Sequence, residues 1–241
     1  MEYLLQYSFS GRVALVTGAG SGIGEAIARL LASNGLNVVV SDVSADNAKR
    51  VAKLISADGG QAVANVADVA RIDDVEAAVA CAVDMFGGLH FAVNNAGISG
   101  DQSPVGELDP AAWSRVIDIN LNGVFATLRG AARLMRPQGA GRMIITTSVA
   151  AYQCEPAIGS AYMAAKAALR DVVRVLGMGY GHVDSIAKLI PAPPGKSVTL
   201  AKVPEVPDPG LIYARKESPE LEQREAAEEE VAELLSLAAR V

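Results

Sequence analysis

The chain has few of the residues that mark metal sites, disulfide frameworks and nucleic-acid surfaces. It has two cysteines, Cys81 and Cys154, and two histidines among 241 residues. Neither cysteine has a CxxC partner or a neighbouring histidine cluster, so we expect no metal site and no disulfide framework. Both are interpreted as reduced thiols, which favours a cytoplasmic location. The net charge of −6 argues against a nucleic-acid partner.

Long hydrophobic runs are also missing. No uninterrupted apolar stretch approaches the length that spans a membrane, so we expect no membrane segment. Residues 1–11 lack a basic region followed by an apolar stretch, and we therefore expect no signal peptide. The composition, 51% hydrophobic and 20% charged, is typical of a globular chain, and the length favours a single domain over residues 1–241.

Short β-rich segments alternate with helical patterns along most of the chain. The predicted strands are residues 12–17, 36–41, 61–66, 89–94 and 142–147. They are nearly continuous apolar runs, which indicate parallel strands buried on both faces. Asp109-Pro110 is typical of a helix start. The alternation predicts an α/β fold with a doubly wound parallel sheet of the Rossmann type.

Two longer helices are predicted over residues 111–135 and 162–178, and the second is apolar on almost every face. A helix that is apolar all round is buried on all sides. It lies either deep in the core or between the sheet and a second subunit. We favour the second interpretation, which makes the protein a homodimer.

A glycine-rich turn, Thr17-Gly18-Ala19-Gly20-Ser21-Gly22-Ile23-Gly24, joins the first predicted strand to a helix. Glycine permits a tight turn and a close approach to a pyrophosphate, which the helix N terminus can bind. The spacing differs from the commoner dinucleotide fingerprint. Its place between strand and helix nevertheless favours a cofactor site over an ordinary turn.

Asp42 ends the second predicted strand, twenty residues beyond Gly22. This is close to the separation expected for the carboxylate that binds an adenosine ribose, which we favour over a simple helix cap. A carboxylate there would repel a 2′-phosphate, and no Arg or Lys adjoins it in the sequence. The cofactor is therefore predicted to be NAD rather than NADP.

Tyr162 and Lys166 are four residues apart on a predicted helix and share a face. A nearby ammonium lowers the pKa of a tyrosine, which can then exchange a proton with a substrate while hydride moves to or from a nicotinamide. Such pairs also occur by chance, but a lysine on a mostly apolar helix favours a function. Ser148 and Asn94-Asn95-Ala96-Gly97 follow strands, where they form either turns or a ligand cleft.

Together these motifs resemble the short-chain dehydrogenase/reductase family over residues 11–181. The resemblance implies that Asp68 and Val69 hold the adenine ring and that Asn120 holds a water of the proton relay. It completes a catalytic tetrad of Asn120, Ser148, Tyr162 and Lys166. The implied cofactor-binding residues are Thr17, Gly18, Ser21, Gly22, Ile23, Gly24, Asp42, Asp68, Val69, Asn95, Ala96, Gly97, Tyr162 and Lys166.

The resemblance implies an NAD(H)-dependent oxidoreductase that interconverts a small secondary alcohol and a ketone, without a metal. One alternative is a 3-oxoacyl-carrier-protein-type reductase, which Asp42 disfavours because such reductases usually take NADP. Another is a catalytically impaired cofactor-binding homologue. The intact tetrad argues against it, whereas the altered C-terminal part of the chain argues for it.

Residues 182–241 depart from the family pattern. Residues 183–187 resemble its sixth strand, but the expected Pro-Gly does not follow directly. The proline-rich stretch 191–209 is predicted to be a loop and residues 219–240 a charged helix. The family's last strand is predicted to be missing. Because that strand supports a second subunit contact in the family, a dimer is favoured over a tetramer.

Overall fold

The computed structural model describes residues 12–152, 158–175, 197–199 and 211–213, together with positions 218, 219, 223 and 226. Contacts divide the chain into two compact units, Met1–Val172 and Val173–Val241. The first unit contains all the residues predicted to bind a cofactor or to act in catalysis. The assignment of residues 1–241 to a single domain stays a prediction.

A sheet of five parallel strands forms the centre of the first unit, in the order β3-β2-β1-β4-β5. The strands are β1 (Val13–Thr17), β2 (Asn37–Asp42), β3 (Gln61–Val66), β4 (Phe91–Asn94) and β5 (Arg142–Ile145). In register, Val13 of β1 lies opposite Asn37, and Ala14 lies opposite Phe91. The doubly wound Rossmann-type fold is confirmed, and each strand lies within two residues of its predicted bounds.

Six α-helices lie in the described part of the chain. They are α1 (Gly22–Ser33), α2 (Ala45–Ala57), α3 (Ile72–Phe86), α4 (Pro110–Ile117), α5 (Gly123–Gln138) and α6 (Ser160–Val175). The predicted start of α4 is confirmed, since the Asp109 side chain accepts a hydrogen bond from the Ala111 N–H and Pro110 is its first residue. None of these helices is long and apolar enough to cross a membrane.

Residues 13–16 of β1 are fully buried, and they enter two hydrophobic clusters in alternation. Ala14 and Val16 pack in a cluster with residues of α1 and α2, whereas Val13 and Leu15 pack with residues of α3 and α5. Because side chains alternate across a strand, the two clusters lie on opposite faces of the sheet. The uninterrupted apolar run of β1 therefore follows from burial on both sides.

The helix predicted over residues 111–135 is divided by a π-helical segment, Asp118–Asn122, between α4 and α5. A π segment inserts an extra residue into a helix and often occurs at functional sites. The helix predicted over residues 162–178 is present as α6, and positions 176–178 lie outside the described residues. One face of α6 is buried, while Ala164 on another side is exposed within this single chain.

Two short strands in the second unit, β6 (Ser197–Thr199) and β7 (Leu211–Tyr213), pair in parallel as a separate sheet. The prediction of a loop throughout 191–209 is therefore wrong at residues 197–199, whereas the absence of the family's last strand stays a prediction. Three residues between prolines are too few to show a periodicity. Pro219, Gln223 and Ala226 are helical, and the rest of 219–240 and the predicted strand 183–187 lie outside the described residues.

Candidate active site

The glycine turn after β1 is shaped by positions that cannot carry a side chain. Gly18 has a φ of 63°, and a Cβ there would come within 2.8 Å of the Ala96 Cα. A Cβ on Gly24 would collide with the Gly18 carbonyl. Gly22 has a φ of 53° but has no atom within 4 Å of its Cβ position, which leaves open space above the N terminus of α1. This arrangement fits a bound pyrophosphate.

Thr17 and Asn95 join the glycine turn to the end of β4. The Thr17 hydroxyl donates to the Val93 carbonyl at 3.3 Å and accepts from the Asn95 and Ala96 N–H groups at 3.1 and 3.2 Å. The Asn95 side chain donates to the carbonyls of Thr17 and Gly18 at 3.2 and 3.3 Å. Thr17 therefore braces the site rather than lining it, whereas Asn95 does both.

Asp42 lies at the carboxyl end of β2, as predicted, and is half-buried. One carboxylate oxygen accepts from the Gly20 N–H at 2.8 Å, and the other accepts from the Ser44 N–H at 2.9 Å. A carboxylate has about four acceptor sites. Asp42 therefore keeps acceptor capacity towards the cleft while its orientation is fixed by two backbone groups.

Asp68 and Val69 follow β3 and lie on the cleft, as the resemblance implies. Asp68 accepts a hydrogen bond from the Ala70 N–H at 3.0 Å, and its own N–H donates to the Asp74 carboxylate at 3.0 Å. That backbone bond holds the pKa of Asp74 below its ordinary value, with Arg71 adding to the effect. The turn is thus held by charged side chains outside the cleft.

The strand ends and the α1 N terminus enclose a cleft of about 390 Å³. It is lined by Gly18, Ser21, Gly22, Ile23, Asp42, Val43, Ala67, Asp68, Val69, Asn95, Ala96, Gly97, Ile98, Arg115 and Ile119. The sequence interpretation missed Arg115 and Ile119. Both belong to the segment after Pro110 and are four residues apart, so helical spacing could have placed them on one face.

A second cavity of about 380 Å³ contains the predicted proton-transfer residues. It is lined by Ile23, Asn95, Gly97, Ile98, Ser99, Gln102, Thr146, Ser148, Ile158, Tyr162 and Lys166. Four residues, Ile23, Asn95, Gly97 and Ile98, line both cavities. The cofactor cleft and the proton-transfer residues therefore share one wall.

Lys166 is only 3% exposed, and its ammonium donates to the Thr146 carbonyl at 2.7 Å. The Lys166 Nζ lies 5.5 Å from the centre of the Tyr162 ring. Burial lowers the pKa of Lys166. The predicted pair is thus brought together, with a lysine held by a main-chain acceptor at the end of β5.

Ser148 begins a short 3-10 turn, Val149–Ala151, in which its hydroxyl oxygen accepts from the Ala150 N–H at 3.2 Å. Arg170 of α6 donates to the Ala151 carbonyl at 3.0 Å, and its guanidinium lies 5.2 Å from the centre of the Tyr152 ring. These contacts attach the turn that carries Ser148 to the helix that carries Tyr162 and Lys166.

Asn120 is fully buried in the π segment and does not line either cavity. Its side chain accepts from the Ile98 N–H at 2.8 Å and donates to the Ile98 carbonyl at 2.7 Å. The resemblance gives Asn120 a water of the proton relay. The Asn120 side chain is thus bound to the Ile98 main chain, and the relay water stays a prediction.

A sequence profile described as short chain dehydrogenase matches residues 12–193. The chain belongs to the short-chain dehydrogenase family. Cyclohexanol dehydrogenase of Acinetobacter sp. (strain SE19) is 42% identical over 180 residues, which are 75% of this chain and 71% of the relative. The family resemblance, the fold and oxidoreductase chemistry are thereby confirmed.

Solved structures of the family are similar to this chain in sequence and in fold. A 3-ketoacyl-ACP reductase from Sinorhizobium meliloti 1021 is 37% identical with a TM-score of 0.66, covering 70% of this chain and 67% of its own. A metagenomic short-chain oxidoreductase in complex with NADP is 34% identical with a TM-score of 0.67, covering 70% of this chain and 76% of its own. Family membership implies a nicotinamide cofactor, and the residues of the cleft fit one.

Proposed function

We propose that the protein is an NAD(H)-dependent oxidoreductase that interconverts a secondary alcohol and a ketone, with Tyr162 as its general acid and base. The observation that carries the proposal is the buried Lys166, fixed on the Thr146 carbonyl beside Tyr162 in a cavity that shares a wall with the cofactor cleft. A bound nicotinamide dinucleotide would supply the hydride acceptor or donor.

Tyr162 accepts the hydroxyl proton when an alcohol is oxidised and returns it when a ketone is reduced. Burial disfavours the charged form of Lys166, whose Nζ lies 5.5 Å from the centre of the Tyr162 ring. A cation at this place attracts the negative charge that forms on the tyrosine oxygen as it gives up its proton. Lys166 therefore assists proton transfer by Tyr162 in this proposal.

Ser148 orients the reacting oxygen in this proposal. Its hydroxyl oxygen is occupied by the Ala150 N–H, which leaves the hydroxyl proton to be donated. A donor to the substrate oxygen stabilises charge that develops there during reaction. Ser148 and Tyr162 line the same cavity, which supports their acting on one atom.

Asp42 supports the choice of NAD over NADP. Both its oxygens are oriented by backbone N–H groups, and its remaining acceptor sites suit two ribose hydroxyls. A 2′-phosphate would meet a negative charge there. The NADP-bound relative takes the phosphorylated cofactor, so cofactor choice in this chain depends on its own residues around Asp42.

The substrate is proposed to be a small alicyclic secondary alcohol. Ile98 and Ile158 give the cavity around Tyr162 an apolar wall, with Gln102 as a polar residue at its side. The 42% identical cyclohexanol dehydrogenase is named for such a substrate. The runner-up is a 3-oxoacyl-carrier-protein reductase, favoured by the 37% identical ketoacyl reductase and disfavoured by Asp42.

We also propose a cytoplasmic homodimer that forms through α4–α5 and α6. Phe125 in the first turn of α5 is 62% exposed, and Trp113 in α4 is 36% exposed. Contiguous exposed apolar patches mark interaction surfaces. A two-fold axis would allow each subunit to cover the helices of its partner.

Formation of NADH from NAD in the presence of cyclohexanol and a panel of secondary alcohols tests the proposed function directly. The expected result is turnover with alicyclic alcohols and a preference for NAD. Turnover confined to NADPH and 3-oxoacyl thioesters would favour the runner-up. Binding of NADH without turnover on any alcohol or ketone would favour the impaired homologue.

A further inference from the structure

Arg50 of α2 lies eight positions beyond Asp42 in the sequence and contacts the glycine turn beside it. Its guanidinium donates to the Gly20 carbonyl at 2.8 Å. The N–H of the same Gly20 donates to the Asp42 carboxylate at 2.8 Å. One glycine therefore separates this arginine from the carboxylate proposed to select the cofactor.

The carboxylate of Glu25 in α1 forms an ion pair with the guanidinium of Arg50. Its two carboxylate oxygens accept from the terminal nitrogens of Arg50 at 2.6 and 3.0 Å, in a bidentate pair. The Glu25 side chain is only 20% exposed and the Arg50 side chain 46%. Hydrogen bonding to Arg50 holds the pKa of Glu25 below its ordinary value, so the pair stays charged at neutral pH.

We propose that Glu25 is a specificity-determining residue, which prevents the adjacent Arg50 from binding a 2′-phosphate. This inference rests on the proposed dinucleotide function. Arginine binds phosphate through the same two-pronged geometry with which it binds a carboxylate. While Glu25 occupies both terminal nitrogens, Arg50 contributes no net positive charge at the place where NADP differs from NAD.

The charges explain why two carboxylates act together. Asp42, Glu25 and Arg50 carry a net charge of −1 in the wild type. Glu25→Gln makes the set neutral, and combining it with Asp42→Ala makes it positive while leaving the guanidinium in place. Glutamine has nearly the same shape as glutamate, so the substitution changes charge with little change in packing.

Binding of adenosine 2′,5′-bisphosphate and of 5′-AMP, measured by titration calorimetry, tests the proposal without turnover. In the Asp42→Ala background, adding Glu25→Gln is expected to tighten binding of the bisphosphate by about three- to tenfold, as expected for a released charge-assisted contact. Binding of 5′-AMP is expected to change less than about twofold. The gain is expected to diminish at high salt, because the contact is partly exposed.

Two further variants identify the cause. Adding Arg50→Gln to the double variant is expected to abolish the gain, since the guanidinium provides it. Glu76→Gln is the matched control, because Glu76 pairs with Arg129 and Arg133 between α3 and α5 and lines no part of the cleft. It removes an equal charge and is expected to leave binding of both nucleotides unchanged.

The outcomes separate this inference from the proposed function. Failure of the wild type to bind 5′-AMP and NADH would overturn the dinucleotide function itself. Normal binding of both, with no bisphosphate gain in the double variant, would overturn the role of Glu25. Equal weakening of 5′-AMP and the bisphosphate would also overturn it, since Glu25 would then only support the glycine turn.

Discussion

Asn120 and Ile98 form a closed pair of hydrogen bonds, in which the Asn120 amide accepts from the Ile98 N–H and donates to the Ile98 carbonyl. The residues are 22 positions apart, and Asn120 is fully buried. Ile98 lines both cavities. The pair therefore fixes the shared wall of the site to the π segment.

Asn120→Ala is expected to lower the free energy of unfolding by about 1–3 kcal/mol, because it leaves the Ile98 backbone without its partner. It should also weaken NADH binding, because Ile98 is then released. Chemical denaturation and titration calorimetry measure the two effects. Asn122→Ala, which removes an exposed contact to Asp118 in the same segment, is the control and should stay within about 0.5 kcal/mol of wild type. Equal effects of both variants would contradict this role.

Tyr162→Phe removes the proposed proton-transfer group and keeps the ring. Turnover is expected to fall by about 10²–10⁴-fold, the usual contribution of general acid–base catalysis. The dissociation constant for NADH should change little, since the nicotinamide end of the cleft keeps its other walls. Steady-state kinetics and calorimetry provide the two measurements.

Tyr152→Phe is the matched control for Tyr162→Phe. Tyr152 packs against Arg170 beside the 3-10 turn and lines neither cavity, so turnover should be nearly normal. Near-normal turnover of Tyr162→Phe on any substrate accepted by the wild type would eliminate the proposed mechanism.

Asp42→Ala is expected to narrow the preference for NADH over NADPH by roughly tenfold, equivalent to about 1.4 kcal/mol. The reason is the loss of a negative charge that repels the 2′-phosphate and of an acceptor for the ribose hydroxyls. Dissociation constants for both cofactors measure the change. Asp46→Ala, an exposed acid in the first turn of α2, controls for general charge. A wild type that binds NADPH as tightly as NADH would show that Asp42 does not select NAD.

The sheet could be predicted from the sequence because it depends on local signals. Strands buried on both faces are apolar throughout, and β3 was predicted with the observed bounds, Gln61–Val66. The Tyr162–Lys166 spacing likewise placed two functional groups on one helix face. The order of motifs then identified the family.

Other features could not be predicted because folding creates them. The π segment is joined through Asn120 to Ile98, which lies 22 positions earlier in the chain. No Arg or Lys adjoins Asp42 in the sequence, whereas α2 brings the Arg50 side chain to the carbonyl of Gly20. β6 and β7 are three residues each, too short for a pattern to appear.

Phe125→Asp is expected to shift the protein from dimer to monomer, because it places a charge in the proposed helical interface. Sedimentation at micromolar concentration measures the mass. Met85→Asp is the control, because Met85 is 56% exposed on α3, outside the proposed interface. A strictly monomeric wild type would show that the proposed dimer does not form. A dimer that persists in Phe125→Asp but not in Met85→Asp would place the interface elsewhere.

Lys166 is expected to make stability depend on pH at the alkaline end. Burial lowers its pKa in the folded protein, below the value of about 10.4 of a free lysine. Between those two pKa values the unfolded chain binds the proton and the folded chain does not. Stability therefore rises with pH across that interval, by up to about 1.4 kcal/mol per pH unit, and the cost of the buried charge is greatest below it.

Lys166→Met keeps the length of the side chain and removes the charge, so the difference in unfolding free energy between the two proteins should vary with pH. The stability of the methionine variant relative to the wild type should be greatest near neutral pH. This relative stability should fall as the pH rises towards about 10.4. Turnover should fall because the Tyr162 ring loses its neighbouring charge. Cofactor affinity should also fall because Lys166 is an implied cofactor-binding residue. Denaturation series from neutral to alkaline pH measure the difference. A difference that stays constant over this range would show that Lys166 is not destabilised by burial and that its charge is compensated by the Thr146 carbonyl.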